Sequence, residues 1–370
     1  MYDRTLTSHR GGAGKRLISP GFLGLSEPEL YDLELGSLER RLKRLGANKV
    51  LLQAPDGLKR VMLDLAAKLS STGREVVLSA GSCHGGCDIA FEEAKTVQAN
   101  AIVHLGHSRM VREHPIPTIY LECRYTDPSP LLVALEEALS LLKTCKCIGL
   151  GVTAQWLDFT DIVQDFFRER GLTIPLGSPR RRADNRCQVL GCEYSALERI
   201  KEKVDCLLTI GSVFHGLGAA LSTNLRTIAV EPHSQRVEEM GQLRETVLRQ
   251  RYASITRFQE AHRIGVVVST KPGQRRPTLA THATSLLRHQ GRAAFQVTAD
   301  EVTESALAEL GFDGYVNTAC PRVSIEDGPL FSAPLLLPSE LLVSLGFLPW
   351  EELINKGLLL DMSPREMASK

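Results

Sequence analysis

Short runs of Val, Ile and Leu alternate along most of the chain with segments whose apolar residues recur at helical spacing. "KVLLQAP" (49–55) leads into "GLKRVMLDLAAKLSSTG", where leucines and alanines share one helical face. "EVVLSAG" predicts a second strand, "AIVHLGH" (101–107) a third and "TIYLE" (118–122) a fourth, with a helix opening at Asp88 between the second and third. The pattern restarts at "CIGLGVT" (147–153), followed by the helical "WLDFTDIVQDFFRERG" and the strands "VDCLLTIGS" (204–212) and "LRTIAVEP" (225–232). A charged stretch over 234–262 predicts one long helix. A third restart, "RIGVVVSTKPGQ" (263–274), ends in the strand "DGYVNTAC" (313–320). Unbroken apolar strands between amphipathic helices predict parallel sheets covered on both faces. The expected fold class is therefore α/β, with three Rossmann-like parallel-sheet domains related by pseudo-threefold symmetry. Their expected spans are 25–143, 144–262 and 263–370, after a flexible tail over 1–24 and with a C-terminal tail in the last.

Composition narrows the function classes. The formal net charge of +1 gives no bulk attraction to nucleic acid or a membrane surface, and 5% aromatic residues is low for base stacking. The most apolar stretch, "PLLLPSELLVSLGFLPWEELI", is broken by prolines and acids, so no membrane span is expected. "MYDRTLTSHRGGAGKR" lacks the apolar core of a secretory signal, and a cytoplasmic protein with reduced thiols is expected. Nine cysteines then read as buried apolar residues, metal ligands or reactive thiols.

Two of these cysteines recur in matching contexts. "GCDIAFEE" (86–93) and "GCEYSALE" (191–198) share Gly-Cys-acid-x-(Ala/Ser)-x-x-Glu, each between a strand and a helix. "ACPRVSIE" (319–326) keeps the Cys, the Ser at +4 and the Glu at +6, but there the cysteine directly ends a strand. Ligands in open α/β sheets collect beyond the carboxyl ends of strands, and a helix N-terminus there favours a thiolate. Three inward-facing units would bring Cys87, Cys192 and Cys320 together. Three thiolates with one open corner suit a four-iron four-sulfur cluster or a catalytic zinc. Cys83 and Cys187 lie close enough in sequence to replace a neighbour as ligand, whereas Cys123, Cys145, Cys147 and Cys206 read as buried apolar positions.

"HGGCDIA", "QVLGCEYSA", "NTACPRVSIED", "GSVFHGLG" and "VVVSTKPGQRR" together resemble the diphthamide synthase family, and most of all its archaeal homodimeric type. Five motifs fall in the family's order between about residues 30 and 345. The resemblance implies a 4Fe–4S cluster on Cys87, Cys192 and Cys320 and S-adenosylmethionine as cosubstrate. It implies reductive cleavage of the Cγ–S bond and transfer of the 3-amino-3-carboxypropyl group to C2 of a histidine in translation elongation factor 2. It further implies an external electron donor and a homodimer. A quinolinate-synthase-like 4Fe–4S dehydratase, a non-catalytic cluster-bearing partner subunit and a structural zinc protein are the competing readings.

Several strand-end loops are candidate cosubstrate contacts. "QAPDGLK" offers Gln53, Asp56 and Gly57; "GSVFHGLG" offers Gly211, Ser212 and His215; "LGHS" offers His107. "STKPGQRR" offers Lys271, Gly273 and Gln274, and Arg322 could pair bidentately with a carboxylate. The basic run "PRRRADNR" leads toward Cys192 and could steer an acidic protein.

Overall fold

A computed structural model of the protein describes residues 30–360 and Met367, so the tail expected over 1–24 lies outside the described residues. β1 (Tyr31–Asp32) and α1 (Leu35–Arg44) precede the first sheet. That sheet holds β2 (Lys49–Gln53), β3 (Glu75–Leu78), β4 (Ala101–Leu105) and β5 (Thr118–Leu121), with α2 (Lys59–Ser71) and α3 (Phe91–Thr96) as crossovers. Its order is β3-β2-β4-β5, all parallel. β6 (Arg124–Tyr125) pairs antiparallel with β1 and leads to α4 (Ser129–Leu142).

The second sheet follows with β7 (Ile148–Val152), α5 (Thr160–Arg168), α6 (Ser195–Glu198), β8 (Cys206–Ile210), α7 (Val213–Thr223), β9 (Thr227–Glu231) and β10 (Arg236–Glu239). Its order is β10-β9-β8-β7, with β10 antiparallel to β9. After α8 (Gly241–Gln259) come β11 (Arg263–Ser269), α9 (Pro277–His289), β12 (Ala293–Ala299), α10 (Glu304–Ala308), β13 (Gly314–Asn317) and β14 (Leu335–Leu336). These strands form an all-parallel sheet of order β12-β11-β13-β14, and α11 (Pro338–Ser344) and α12 (Trp350–Asn355) close the described chain.

The outer sheets share one winding: second strand, first, third, fourth. The middle sheet keeps it in reduced form. Where a second strand belongs, only isolated parallel bridges flank β7, Cys147 to Thr173 and Val152 to Gln188. The unbroken apolar runs of the sequence are the central strands: every residue of β4, β7 and β8 is buried. The crossovers cover both faces, as parallel sheets require.

Four local expectations are corrected. The helix expected at Asp88 begins at Phe91, because the Asp88 carbonyl accepts from the Gln53 side chain instead of opening a turn. The helix expected over 234–262 is preceded by β10, since Gln235 takes a left-handed φ of 53° and turns the chain back along β9. α4, expected to finish the first unit, lays Leu131, Leu135 and Leu142 into one core with Ile148, Leu150 and Ile228 of the second sheet. Cys145 and Cys206 are paired as a disulfide with Cα atoms 6.3 Å apart. Cys145 lies between the end of α4 and β7, three residues before Ile148, whose register partner is Cys206 at the start of β8, so two apparently apolar cysteines meet while Cys147 stays free.

α8 ties the second sheet to the third through Arg251, which is 2% exposed. Its guanidinium donates to Glu340 Oε1 at 2.8 Å and Oε2 at 2.6 Å, and to the carbonyls of Ser324 and Leu335 at 2.7 Å each. Glu340 also accepts from the Leu337 N–H at 2.7 Å. Removing one partner strands the other charge in the interior. Glu340→Ala is therefore expected to lower stability by about 3–5 kcal/mol, measured as a shift of the denaturant midpoint of the full chain.

Candidate functional site

Cys87, Cys192 and Cys320 line one cavity of about 240 Å³ between the three sheets. Cys87 sits in the loop after β3 and Cys192 in the loop after the bridge at Gln188, which stands where a second strand would be. Cys320 follows β13, one crossover later in its unit than the other two. The expectation that helix N-termini make the thiolates is not met. α3 starts well past Cys87, and α6 is a single turn of four residues. Burial instead pushes the Cys87 thiol up to about 11 and the Cys320 thiol up to about 12; in both the adjacent Cys192 raises it further, and at Cys320 Cys87 does too. Thiolates crowded in such a site need a cation or a positively charged cluster to hold their charge. The donor set, three convergent sulfurs from three chain segments, therefore fits a metal centre. Among the described residues, the His/Cys/Asp/Glu sets whose ligand atoms all lie within 4.8 Å of one another do not include these three cysteines.

The third sheet's first loop grips the first cysteine. The Gly273 N–H donates to the Cys87 carbonyl at 2.8 Å, and Gln274 Nε2 donates to Cys87 Sγ at 3.4 Å. A Cβ at Gly273 would lie 2.5 Å from Cys87 Cα, so only glycine allows this approach. Lys271, 4% exposed, bridges Asp88 at 2.7 Å and Glu301 at 2.6 Å. Lys271, a candidate cosubstrate contact in the sequence, is thus already paired inside the joint between first and third units. Arg182, from the basic run, donates to Cys192 Sγ at 3.3 Å. Asn317 donates to the Cys320 carbonyl at 2.9 Å and to Ser324 Oγ at 3.0 Å, fixing the strand end that carries the third sulfur.

His107, His215 and Arg322 line the same cavity. Ser212 caps α7, and its hydroxyl meets His215 Nδ1 at 2.8 Å. Burial holds His107 and His215 down to about 4, with His84 and Arg322 respectively adding to the effect. Arg322 stacks over Phe214 at 4.1 Å and pairs with Glu326 at 2.7 Å. A second cavity of about 490 Å³ holds Gly57, Gly211 and Ser212 and shares Gly106, Thr153, Gln155 and His215 with the first. Gly106 has φ +83°, and a Cβ there would meet Leu58 Cδ1 at 2.7 Å.

Three candidates are placed elsewhere. Asp56 is 88% exposed and pairs with Lys59 at 2.7 Å. Gln53 is buried at the end of β2, donating to the Asp88 carbonyl at 2.8 Å and accepting from the Ala90 N–H at 3.1 Å, so it braces the Cys87 loop. Cys187 is buried in the core of the second sheet beside Thr160. Sequence reasoning missed Gln155, whose Nε2 donates to the Gly106 and Glu122 carbonyls at 2.7 and 3.1 Å and so joins the first unit to the second. Its only sequence signal is a polar residue just past the strand β7.

The family model described as "Putative diphthamide synthesis protein" matches residues 54–354. The chain belongs to this family. It is 33% identical over 323 residues to the 2-(3-amino-3-carboxypropyl)histidine synthase of Pyrococcus horikoshii, covering 86% of this chain and 91% of the relative. It is 28% identical to subunit 1 of the synthase of that name from Encephalitozoon cuniculi, covering 86% and 90%. A crystal structure of Dph2 from Pyrococcus horikoshii with a 4Fe-4S cluster superposes with a TM-score of 0.81 at 32% identity, covering 90% of this chain and 96% of that one. The protein is thus an enzyme of the diphthamide synthesis family, with the α/β architecture of parallel sheets expected from its sequence. No helix among the described residues is long and apolar enough to cross a membrane.

Two outcomes follow from the geometry. Gly273→Ala is expected to displace the Cys87 loop, costing about 1–3 kcal/mol and raising the rate at which Cys87 is alkylated, read by mass spectrometry of the metal-free protein. The depressed histidines bind fewer protons folded than unfolded between pH about 6.5 and about 4. Metal-free protein should therefore lose stability as pH falls through that window, with the loss complete below the folded value. Thermal melts across that range check this, with His215→Gln flattening the slope.

Proposed function

We propose that the chain transfers the 3-amino-3-carboxypropyl group of S-adenosylmethionine to C2 of a histidine in translation elongation factor 2, releasing methylthioadenosine. The observation that carries this is the convergence of Cys87, Cys192 and Cys320 on one cavity that adjoins a larger, aromatic-lined one. These three cysteines would hold a 4Fe–4S cluster, which when bound supplies the electron for reductive Cγ–S cleavage and a site for the sulfonium end of the cosubstrate.

The chain's own residues do the rest. In the larger cavity Tyr125, Trp156 and His233 cluster at centroid distances of 4.1 to 5.1 Å, tilted or edge-on to one another, an aromatic surface suited to a purine. A ligand lying there reaches the sulfurs past Gly106, Thr153, Gln155 and His215, the residues both cavities share. Gly211 and Ser212 border its path, and His215, held neutral by burial, adds no competing positive charge beside a sulfonium. Arg322, aligned by Phe214 and Glu326, is the cation available to the cosubstrate carboxylate. Gln274 and Arg182 orient two of the three sulfurs. The reading includes a cytoplasmic setting, an external electron donor and a second copy of the chain as partner.

The test is an anaerobic assay with dithionite, carboxypropyl-labelled S-adenosylmethionine and elongation factor 2. Label on the factor's histidine with release of methylthioadenosine is expected. Cys87→Ala, Cys192→Ala and Cys320→Ala should each lose bound iron and reduce transfer at least 100-fold, whereas Cys187→Ala should keep both. A folded, iron-loaded chain that transfers nothing alone but does so with a second protein would make it a cluster-bearing subunit instead.

A further inference from the structure

A second group of donors lies beside the cysteine cavity and is not used by the proposed transfer. Cys83, on the loop after β3, His104, in β4, and His107, just beyond it, bring one ligand atom each within 4.8 Å of the others. Cys83 Sγ is 3.9 Å from His104 Nε2, and His104 Nε2 is 3.0 Å from His107 Nδ1. In a tetrahedral zinc site, two ring nitrogens stand about 3.3 Å apart, and a nitrogen and a thiolate about 3.6 Å. The three atoms are within a few tenths of an ångström of that at the two printed distances. Cys83 and His104 are buried, at 5% and 0% exposure.

The hydrogen bonds around His104 fix its tautomer. Gln53 Nε2 donates to the Asp88 carbonyl at 2.8 Å, and Gln53 Oε1 accepts from the Ala90 N–H at 3.1 Å. The amide orientation is therefore set, and Oε1 is an acceptor. His104 Nδ1, 3.1 Å from that oxygen, must carry its proton there. The Nε2 lone pair then faces Cys83 and His107. A ring N–H donated outward to a carbonyl while the other nitrogen points at a sulfur and a second imidazole is the outer-shell pattern of a metal-bound histidine.

We propose that Cys83, His104 Nε2 and His107 Nδ1 form a binding site for a zinc-type divalent cation, distinct from the site of Cys87, Cys192 and Cys320. Two neutral imidazoles and one thiolate are the donor set zinc prefers, and three protein ligands leave a fourth position for water. His107 lines the cysteine cavity, which gives that position its access. The burial that pushes the free Cys83 thiol up to about 12 is offset once a cation replaces its proton.

The site is tested on the full-length protein purified anaerobically from zinc-supplied cells, by elemental analysis and zinc X-ray absorption, neither of which depends on transfer activity. About one zinc per chain, with one sulfur and two nitrogens in its shell, is expected. Cys83→Ser, which preserves volume, should lower zinc affinity at least 10-fold while iron and sulfide content stay unchanged. Absence of zinc after direct titration, or a shell of several sulfurs, overturns the proposal. So does loss of iron in Cys83→Ser, which would make Cys83 a ligand of the cluster. If the cluster reading itself fails and no iron is bound, zinc content and its shell still report on this site.

Discussion

The structure depends on one close approach between units distant in sequence: the backbone of Gly273 lying against that of Cys87. A loop of the third unit holds the peptide of the first unit's cysteine and donates to its Sγ, while Gln53 braces the Cys87 loop from within the first unit. A hydrogen bond of this kind contributes only about 1 kcal/mol by itself. It is decisive because Lys271, Asp88 and Glu301 lock the same joint by charge in a buried setting. Gln155 repeats the logic between the first and second units, and Arg251 with Glu340 between α8 and the third sheet. The first sulfur is thus held by contacts that exist only when the units are docked, whereas Arg182 and Asn317 hold the other two cysteines from within their own units. The cavity that gathers the three sulfurs is lined from all three units, so it belongs to the joint and not to any one of them.

Much of this was legible in the chain. Buried parallel strands cannot alternate polar and apolar residues, so their runs stand out, and the repeated Gly-Cys-acid pattern marks two of the three cysteines. What was not legible shares one cause: polar residues whose partners lie far away in sequence. Lys271 in a loop looks like a solvated cation, and its neutralisation by Asp88 across 183 positions leaves no local trace. Gln53 at a strand end looks like a ligand contact, but it is consumed holding the Cys87 loop. Arg182 sits in a basic run that reads as solvated surface, and its contact with Cys192 depends on how the loop folds back. The second strand of the middle sheet was invisible because it survives only as two bridges.

The two cavities differ in which side chains line them. The smaller one gathers sulfurs and neutral histidines; the larger one offers aromatic faces and a helix start. Of the four residues common to both, Thr153 and Gln155 lie just past the end of β7, the first strand of the middle unit, while Gly106 follows β4 and His215 stands in α7. That strand end acts as the threshold between the two compartments, so it is the position from which both can be perturbed at once.

Cys320 follows the third strand of its unit, whereas Cys87 and the bridge-flanked Cys192 follow the second. A triplicated ancestral segment would have delivered its sulfur to one equivalent corner three times over. Here the copies disagree on the corner and still aim at the same void. The shared winding of the outer sheets therefore does not account for the third thiol, whose position answers to the void it lines and not to its place in the repeat.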